Sequence, residues 1–257
     1  MFYHHIDPVL VHLGAFQIRY YGLFYVIGFI ISYYCMRYIF KLKKININDE
    51  MLDNLFFYVL LGMLIGARLV YVIIYDPSYY LGNPLDIFAV WKGGLSFHGG
   101  LIGIAVAALL FAKKNKISFY SIADAAVVPV PLCLALGRIG NFINGELYGR
   151  ITSVPWAVYF SGVEGPRHPS QLYESVKNII IFLIILYFFR KKLKQGVLFW
   201  LFVTLYPLFR FFVEFFRQPD EQLGFIVLNL SMGQLLSILM FVFGATMLYK
   251  TLRPVQK

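Results

Sequence analysis

Residues 137–150 read Gly-Arg-Ile-Gly-Asn-Phe-Ile-Asn-Gly-Glu-Leu-Tyr-Gly-Arg and follow directly on an apolar stretch long enough to cross a bilayer. Arg138 offers a planar fork of donors that suits phosphate. Asn141 and Asn144 add amide donors, Glu146 can hold an arginine in place, and the glycines permit tight turns and close approach to a ligand. A lone arginine at such a boundary reads as an interfacial residue snorkelling to headgroups. This concentration of hydrogen-bonding groups exceeds what an anchor needs, and it fits a site that handles an anionic headgroup.

A second set lies further along the chain. Tyr206, Arg210, Glu214 and Arg217 are spaced by 4, 4 and 3 residues, which at about 100° per residue places them on one stripe of a helix. An arginine at the centre of a membrane span costs about 2.5–3.5 kcal/mol on insertion scales. Arg210 should therefore face the bundle interior, with Glu214 as its partner. The stripe reads either as a structural ion pair or as a second anion-binding wall in which Glu214 aims the guanidinium. Pro207 should kink this helix and open space beside it.

Single residues complete the inventory. His98 lies among Gly93, Gly94, Gly99, Gly100 and Gly103. It reads as a proton acceptor for a thiol or hydroxyl, or as a structural residue beside a small-xxx-small packing surface. Arg68 reads as a third anion contact or as half of a structural pair. His168, before Pro169 and Ser170, fits a helix start better than a ligand contact. No metal is expected, because the histidines are scattered and no His-Glu-x-x-His or cysteine pair occurs. No nucleotide fingerprint occurs either.

The elements that must position these residues are membrane helices. The chain is 60% hydrophobic and only 14% charged, far from a soluble domain. Apolar stretches fall at roughly 20–40, 55–75, 96–112, 119–138, 172–189, 196–216 and 230–249, each near the length a hydrocarbon core of about 30 Å requires. The fold class expected is an all-α integral membrane protein, a bundle of about seven transmembrane helices with an outward-facing head region. It is read as one polytopic membrane domain over 1–257, with 139–171 as an extracytoplasmic head segment. No cleavable signal peptide is apparent.

Orientation follows from the basic loops. Arg37, Lys41, Lys43 and Lys44, then Lys113, Lys114 and Lys116, then Arg190, Lys191, Lys192 and Lys194, and finally Lys250, Arg253 and Lys257 fall on one side. In this topology the whole net charge of +10 lies there. That side should be cytoplasmic, with the N-terminus outside and the C-terminus inside. A basic chain so explained leaves nothing for a nucleic-acid partner to account for. Cys35 and Cys133 fall inside spans, near opposite faces of the membrane by this reading, and no disulfide is expected.

Six blocks carry a family pattern. They are Arg19-Tyr20-Tyr21-Gly22-Leu23, Gly66-Ala67-Arg68, Gly94-Leu95-Ser96-Phe97-His98-Gly99-Gly100, Gly137 through Glu146, His168-Pro169-Ser170-Gln171-Leu172-Tyr173-Glu174, and Arg210-Phe211-Phe212-Val213-Glu214-Phe215-Phe216-Arg217-Gln218-Pro219-Asp220. In order and spacing the chain resembles the bacterial prolipoprotein diacylglyceryl transferases along essentially its whole length.

The resemblance implies transfer of the diacylglyceryl group of phosphatidylglycerol to the lipobox cysteine of a prolipoprotein, giving a thioether and glycerol phosphate. It implies a multi-pass protein of the bacterial plasma membrane that uses no cofactor or metal. The family's lipid-binding arginine falls on Arg138. Its other important positions fall on Tyr21, His98, Asn141, Glu146, Gly149, Arg210 and Glu214. His98, Arg138, Arg210 and Glu214 are then expected to carry the chemistry. Arg138, Asn141, Tyr21, Asn144, Glu146, Gly149, Arg68, Tyr206 and Arg217 are expected to bind phosphatidylglycerol, with Glu214 and Glu146 orienting the arginines.

The partners implied are that lipid, the prolipoprotein signal peptide and membrane lipids, and a monomer is expected to suffice. The rivals are a transporter or flippase of an anionic lipid, which would bind with the same arginines, and a headgroup hydrolase in which His98 activates water. Transporters often show internal repeats and midplane charges; here there is no repeat.

Overall fold

The computed structural model describes residues 2–13, 16–218, 225–227 and 230–253. Pro219 and Asp220 of the last motif block and Lys257 of the basic C-terminus lie outside them. Helices dominate: α1 (Tyr20–Leu42), α2 (Asp49–Val70, continued by a wide turn Tyr71–Tyr75), short α3 (Pro77–Gly82), α4 (Phe97–Lys114), α5 (Phe119–Ala126), α6 (Val130–Ile143), α7 (Ser170–Phe189), α8 (Val197–Glu214) and α9 (Met232–Leu252). Asn48, Ser96 and Ser231 cap α2, α4 and α9, each accepting a backbone N–H of the first turn. Among the described residues, six helices are long and apolar enough to cross a membrane, seven if the bent pair α5–α6 is one span. The protein is a multi-pass membrane protein.

The fourth span differs from its sequence reading in two ways. It is broken, with α5 and α6 meeting at 43°. Pro129 and Pro131 cannot donate to the helical ladder, so the chain bends at the 127–129 break. The helix also runs on to Ile143, past the expected end at 138. Arg138 and Asn141 therefore sit on its last two turns, and the true turn comes at Gly145 (φ +69). The sixth span ends earlier than expected, at Glu214, so Arg217 does not continue the helical stripe.

The chain divides into two compact units. In residues 37–122, α2 and α4 pack together through glycines. A Cβ on Gly66 would lie 2.4 Å from Gly99 O, and one on Gly62 would lie 2.6 Å from Gly103 O. The small-xxx-small spacing is thus a packing surface.

The second unit holds 1–36 and 123–257. Short strands edge it: β1 (Phe2–His4) runs parallel to β4 (Val158–Phe160), β2 (Val9–Leu13) forms a hairpin with β3 (Phe16–Arg19), and β5 (Phe225–Val227) pairs with β6 (Leu230–Ser231). Consecutive helices α6 to α9 pack side by side. Cys35 and Cys133 are both free thiols, but they are not near opposite faces. Cys133 Sγ donates to Gly28 O at 3.1 Å and contacts Ser32 Oγ at 3.3 Å, within a turn of Cys35.

Helix α7 shows how this unit positions polar groups. It buries Gln171, Glu174, Ser175, Lys177 and Asn178 while Val176, Ile179, Ile180 and Leu183 are exposed. The arrangement inverts that of a soluble helix. In hydrocarbon the apolar face belongs outside, and charged side chains are tolerated only where the bundle supplies partners.

Candidate active site

Arg138 and Asn141 are three residues apart on α6 and share a face. Arg138 Nη1 donates to Asn141 Oδ1 at 3.4 Å. The amide of Asn141 then donates to Glu146 Oε1 at 2.8 Å, and that of Asn144 donates to the same oxygen at 3.2 Å. The start of α7 fastens this turn: Gln171 Nε2 donates to Glu146 O at 2.7 Å and Ser170 Oγ to Leu147 O at 2.9 Å. Tyr21 packs on the same helix, because Gly140 lets its ring approach (a Cβ there would lie 3.0 Å from Tyr21 Cδ2). Its hydroxyl lies 2.9 Å from that of Tyr25. Glu146 therefore clamps no arginine directly. It acts on Arg138 at one remove, through the Asn141 amide.

The group that meets the arginines is Glu174, on the buried face of α7. Its Oε1 accepts from Arg210 Nη1 at 2.5 Å. Its Oε2 accepts from Lys177 Nζ at 2.8 Å and lies 3.7 Å from Arg138 Nε. Arg138 and Arg210 thus face a single carboxylate. Glu214 takes the other side of Arg210, with Nη2 at 2.6 Å from Oε2, an ion pair whose N–H points off the line to the oxygen. Ser231 Oγ donates to Glu214 Oε1 at 3.0 Å. The Tyr206 ring caps the Lys177 ammonium, 4.0 Å from its centroid.

Arg217 joins by another route. After α8 the backbone tightens, with Phe216 N donating to Val213 O and Arg217 N to Glu214 O. It then enters a small ladder: Arg150 N donates to Phe216 O, Gly149 N to His168 O, and Gly149 bridges Arg217. Gly149 is required there, since a Cβ would lie 2.3 Å from Phe216 O and 2.7 Å from His168 Cβ. Burial and the nearby Arg210 charge push the Arg217 guanidinium below its usual range. No ion pair to Arg217 exists among the described residues.

His168 is structural, packed against Tyr173 and Phe216. The Tyr173 hydroxyl accepts from Trp156 Nε1 at 2.7 Å, which leaves its proton for His168 Nδ1 at 3.0 Å. Burial lowers the His168 pKa.

Two expected site residues belong to the 37–122 unit. His98 is exposed in the first turn of α4, edge-on to Phe97. Arg68 is 4% exposed and, among the described residues, pairs with no acid. Its Nε donates to Ile87 O (2.9 Å), Nη1 to Gly93 O (2.5 Å) and Gly94 O (3.0 Å), and Nη2 to Asp86 O (2.5 Å) and Ala89 O (3.4 Å), with the Tyr80 ring 5.1 Å away. Arg68, expected as an anion contact or as half of an ion pair, instead has its donors on carbonyls of the loop after α2. Among the described residues no group of three His, Cys, Asp or Glu comes together that could hold a metal ion.

Sequence reasoning missed Glu174 as the shared counter-ion and Lys177 as a member of the cluster. The signal was present. A Glu and a Lys three apart in an apolar helix can satisfy one another, and no span buries two charges without a reason. Chemically, among the described residues four cations (Arg138, Lys177, Arg210, Arg217) face two buried carboxylates, Glu174 and Glu214. The surplus positive charge in a low-dielectric interior is a receptor for an anion.

The comparisons agree with one another. The family model for prolipoprotein diacylglyceryl transferase matches residues 8–250. The chain is 49% identical over 245 residues to the phosphatidylglycerol–prolipoprotein diacylglyceryl transferase of Geobacter sulfurreducens, covering 95% of this chain and 94% of that protein. It is 47% identical to the enzyme of that name from Bordetella parapertussis, with 98% of each chain covered. It is 44% identical to the one from Coxiella burnetii, with 97% of each covered. Matched over nearly its whole length by model and relatives alike, the chain belongs to the prolipoprotein diacylglyceryl transferase family.

Proposed function

We propose that this protein transfers the diacylglyceryl group of phosphatidylglycerol to the thiol of a prolipoprotein lipobox cysteine, the first step of lipoprotein maturation. It acts in the bacterial plasma membrane as a monomer, with its N-terminus outside and its C-terminus cytoplasmic, and needs no nucleic acid. The observation that carries this reading is the single carboxylate, Glu174, faced by both Arg138 and Arg210.

The substrate's sulfur forms a bond to the glyceryl carbon, and that carbon's bond to the phosphate oxygen breaks. The bonding pair leaves with the oxygen, so a phosphodiester of charge −1 becomes a monoester gaining negative charge. Arg138 and Arg210 hold the phosphate throughout. Their attraction rises as the leaving oxygen gains charge, which is the differential binding that lowers a barrier. Glu214 and Glu174 fix the Arg210 fork, and Asn141, backed by Glu146, fixes Arg138. Asn144, Tyr21 and Gly149 shape the surroundings of these groups, and Arg217 adds positive charge. The enzyme supplies no nucleophile of its own; its two cysteines are half-buried within helices.

The thiol proton must leave, since the thiolate is the nucleophile. His98 is the candidate acceptor on its chemistry. Near-normal activity in His98→Gln would remove it from the mechanism.

Purified protein, phosphatidylglycerol vesicles and a peptide carrying a signal sequence and lipobox cysteine test the whole reading. Mass spectrometry should find a thioether-linked diacylglyceryl peptide and free glycerol phosphate. Headgroup release without peptide modification would mean a hydrolase. Neither product would leave a transporter.

A further inference from the structure

Lys177 is a buried cation that the proposed reaction does not use. Its side chain is 2% exposed, on the apolar helix α7. An ammonium there is costly unless paired, and two contacts hold it. Nζ donates to Glu174 Oε2 at 2.8 Å and sits over the Tyr206 ring at 4.0 Å. Glu174 has two oxygens and three cations to serve. Oε1 is taken by Arg210. Oε2 is contested by Lys177 at 2.8 Å and Arg138 at 3.7 Å, and Lys177 holds it. Among the described residues, Arg138 is left a long contact to Glu174 and a 3.4 Å bond to Asn141, with 23% of its side chain exposed.

We infer that Lys177 is a positioning residue that keeps the Glu174 carboxylate off Arg138, so that the Arg138 fork stays open for the lipid phosphate. The inference rests on the proposed role of Arg138. Without Lys177, Oε2 is left facing Arg138 at 3.7 Å, since Arg210 already holds Oε1. A guanidinium closed onto a buried carboxylate is neutralised and must be pried loose by each incoming phosphate. The loss should fall on lipid binding before it falls on bond breaking. Tyr206 contributes by fixing the ammonium, which reassigns it from lipid contact to support.

The test is steady-state kinetics with phosphatidylglycerol vesicles as varied substrate. Lys177→Met should raise KM for the lipid roughly tenfold or more, the scale of one charge-assisted hydrogen bond, with kcat nearly unchanged. Glu174→Gln removes the carboxylate that would close on Arg138 but also loosens Arg210, so it is the reference for the double variant: adding Lys177→Met to Glu174→Gln should raise KM no further. A purely structural ion pair would lower the amount of folded protein instead and would show no such dependence on Glu174. Thermal unfolding in detergent reports folding. If the methionine variant does not fold, Lys177→Gln keeps a polar donor in the buried site and should show a smaller rise in KM. Unchanged KM in a folded Lys177 variant, or a Lys177→Met effect on KM that is as large in the Glu174→Gln background as in the parent, overturns the inference. Arg138→Gln run beside them separates the two levels: if it leaves KM and kcat intact, the phosphate role of Arg138 fails; if it is impaired while Lys177→Met is not, only the role of Lys177 fails.

Discussion

Arg68 and Arg210 are both arginines in apolar helices, and the two units of the chain treat them differently. Arg68 meets five loop carbonyls and one aromatic ring. Its partners are neutral dipoles, and its donors are filled. Arg210 meets two carboxylates, one of which it shares with Lys177 and Arg138. A guanidinium saturated by carbonyls has nothing to exchange with a ligand and organises a loop. One in a network of shared counter-ions can re-partner when a new anion arrives. The cost of burying an arginine does not distinguish scaffold from site; the charge and sharing of its partners do.

The sharpest way to break that contrast is to neutralise one arginine from each unit. Arg138→Gln should lower kcat/KM by about 10²- to 10³-fold, the usual effect of removing one preorganised donor to a developing anion. Its thermal midpoint should hardly move, because Arg138 has only loose partners. Arg68→Gln should do the reverse. It strips the carbonyls of residues 86–94 of a common donor, so the protein should lose about 3 kcal/mol of stability, while the folded fraction keeps its KM for phosphatidylglycerol. A large KM defect in Arg68→Gln would return Arg68 to the anion contacts.

The same contrast explains what could be read from sequence. The spans follow from length and hydropathy, and local pairs follow from helical spacing. Arg210 with Glu214 is four apart, and Arg138 with Asn141 is three apart. What escaped is non-local. The carbonyls around Arg68 come from 18 to 26 residues downstream. Arg217 left the helical stripe because Arg150 N and Gly149 compete for the backbone after Glu214, and helical periodicity carries no trace of that ladder. Glu174 stood in a quoted motif, yet its role depends on packing α6, α7 and α8 together. Lys177, considered alone, is a costly charge in the first turns of an apolar span. Read with Glu174 three residues earlier, it is half of a pair that makes the span feasible.

Gly149 sharpens the comparison from within the site unit, since it is scaffold lying close to charge. Gly149→Ala would place a methyl group 2.3 Å from Phe216 O and 2.7 Å from His168 Cβ, and backbone must move. Overpacking of this kind costs about 1–3 kcal/mol. Arg217 is bridged to Gly149, so activity should fall together with the thermal midpoint. If activity drops while the midpoint stays, Gly149 has a direct role with the ligand instead.

The smallest effect separates the two units by pH. Burial holds the His168 pKa below its ordinary value of about 6.5. The folded state therefore prefers neutral imidazole. Unfolded chains bind the proton first as pH falls, so the stabilisation is present above about 6.5 and is lost between that value and the lower folded pKa. In the loop around Arg68, Asp86 is held below its ordinary value by the Tyr79 hydroxyl and by Lys92. That contribution is present above about 3.9 and fades only as pH drops through the carboxylate range. Lowering pH from 7.5 to 5.5 should thus lower the thermal midpoint through the site unit and leave the Arg68 loop untouched. His168→Asn should flatten that slope, and Asp86→Asn should not. An unchanged slope in His168→Asn would mean that the Trp156–Tyr173–His168 chain tolerates a charged ring, and that the aromatic packing around it, rather than the neutral tautomer, holds Gly149 and Arg217 in place.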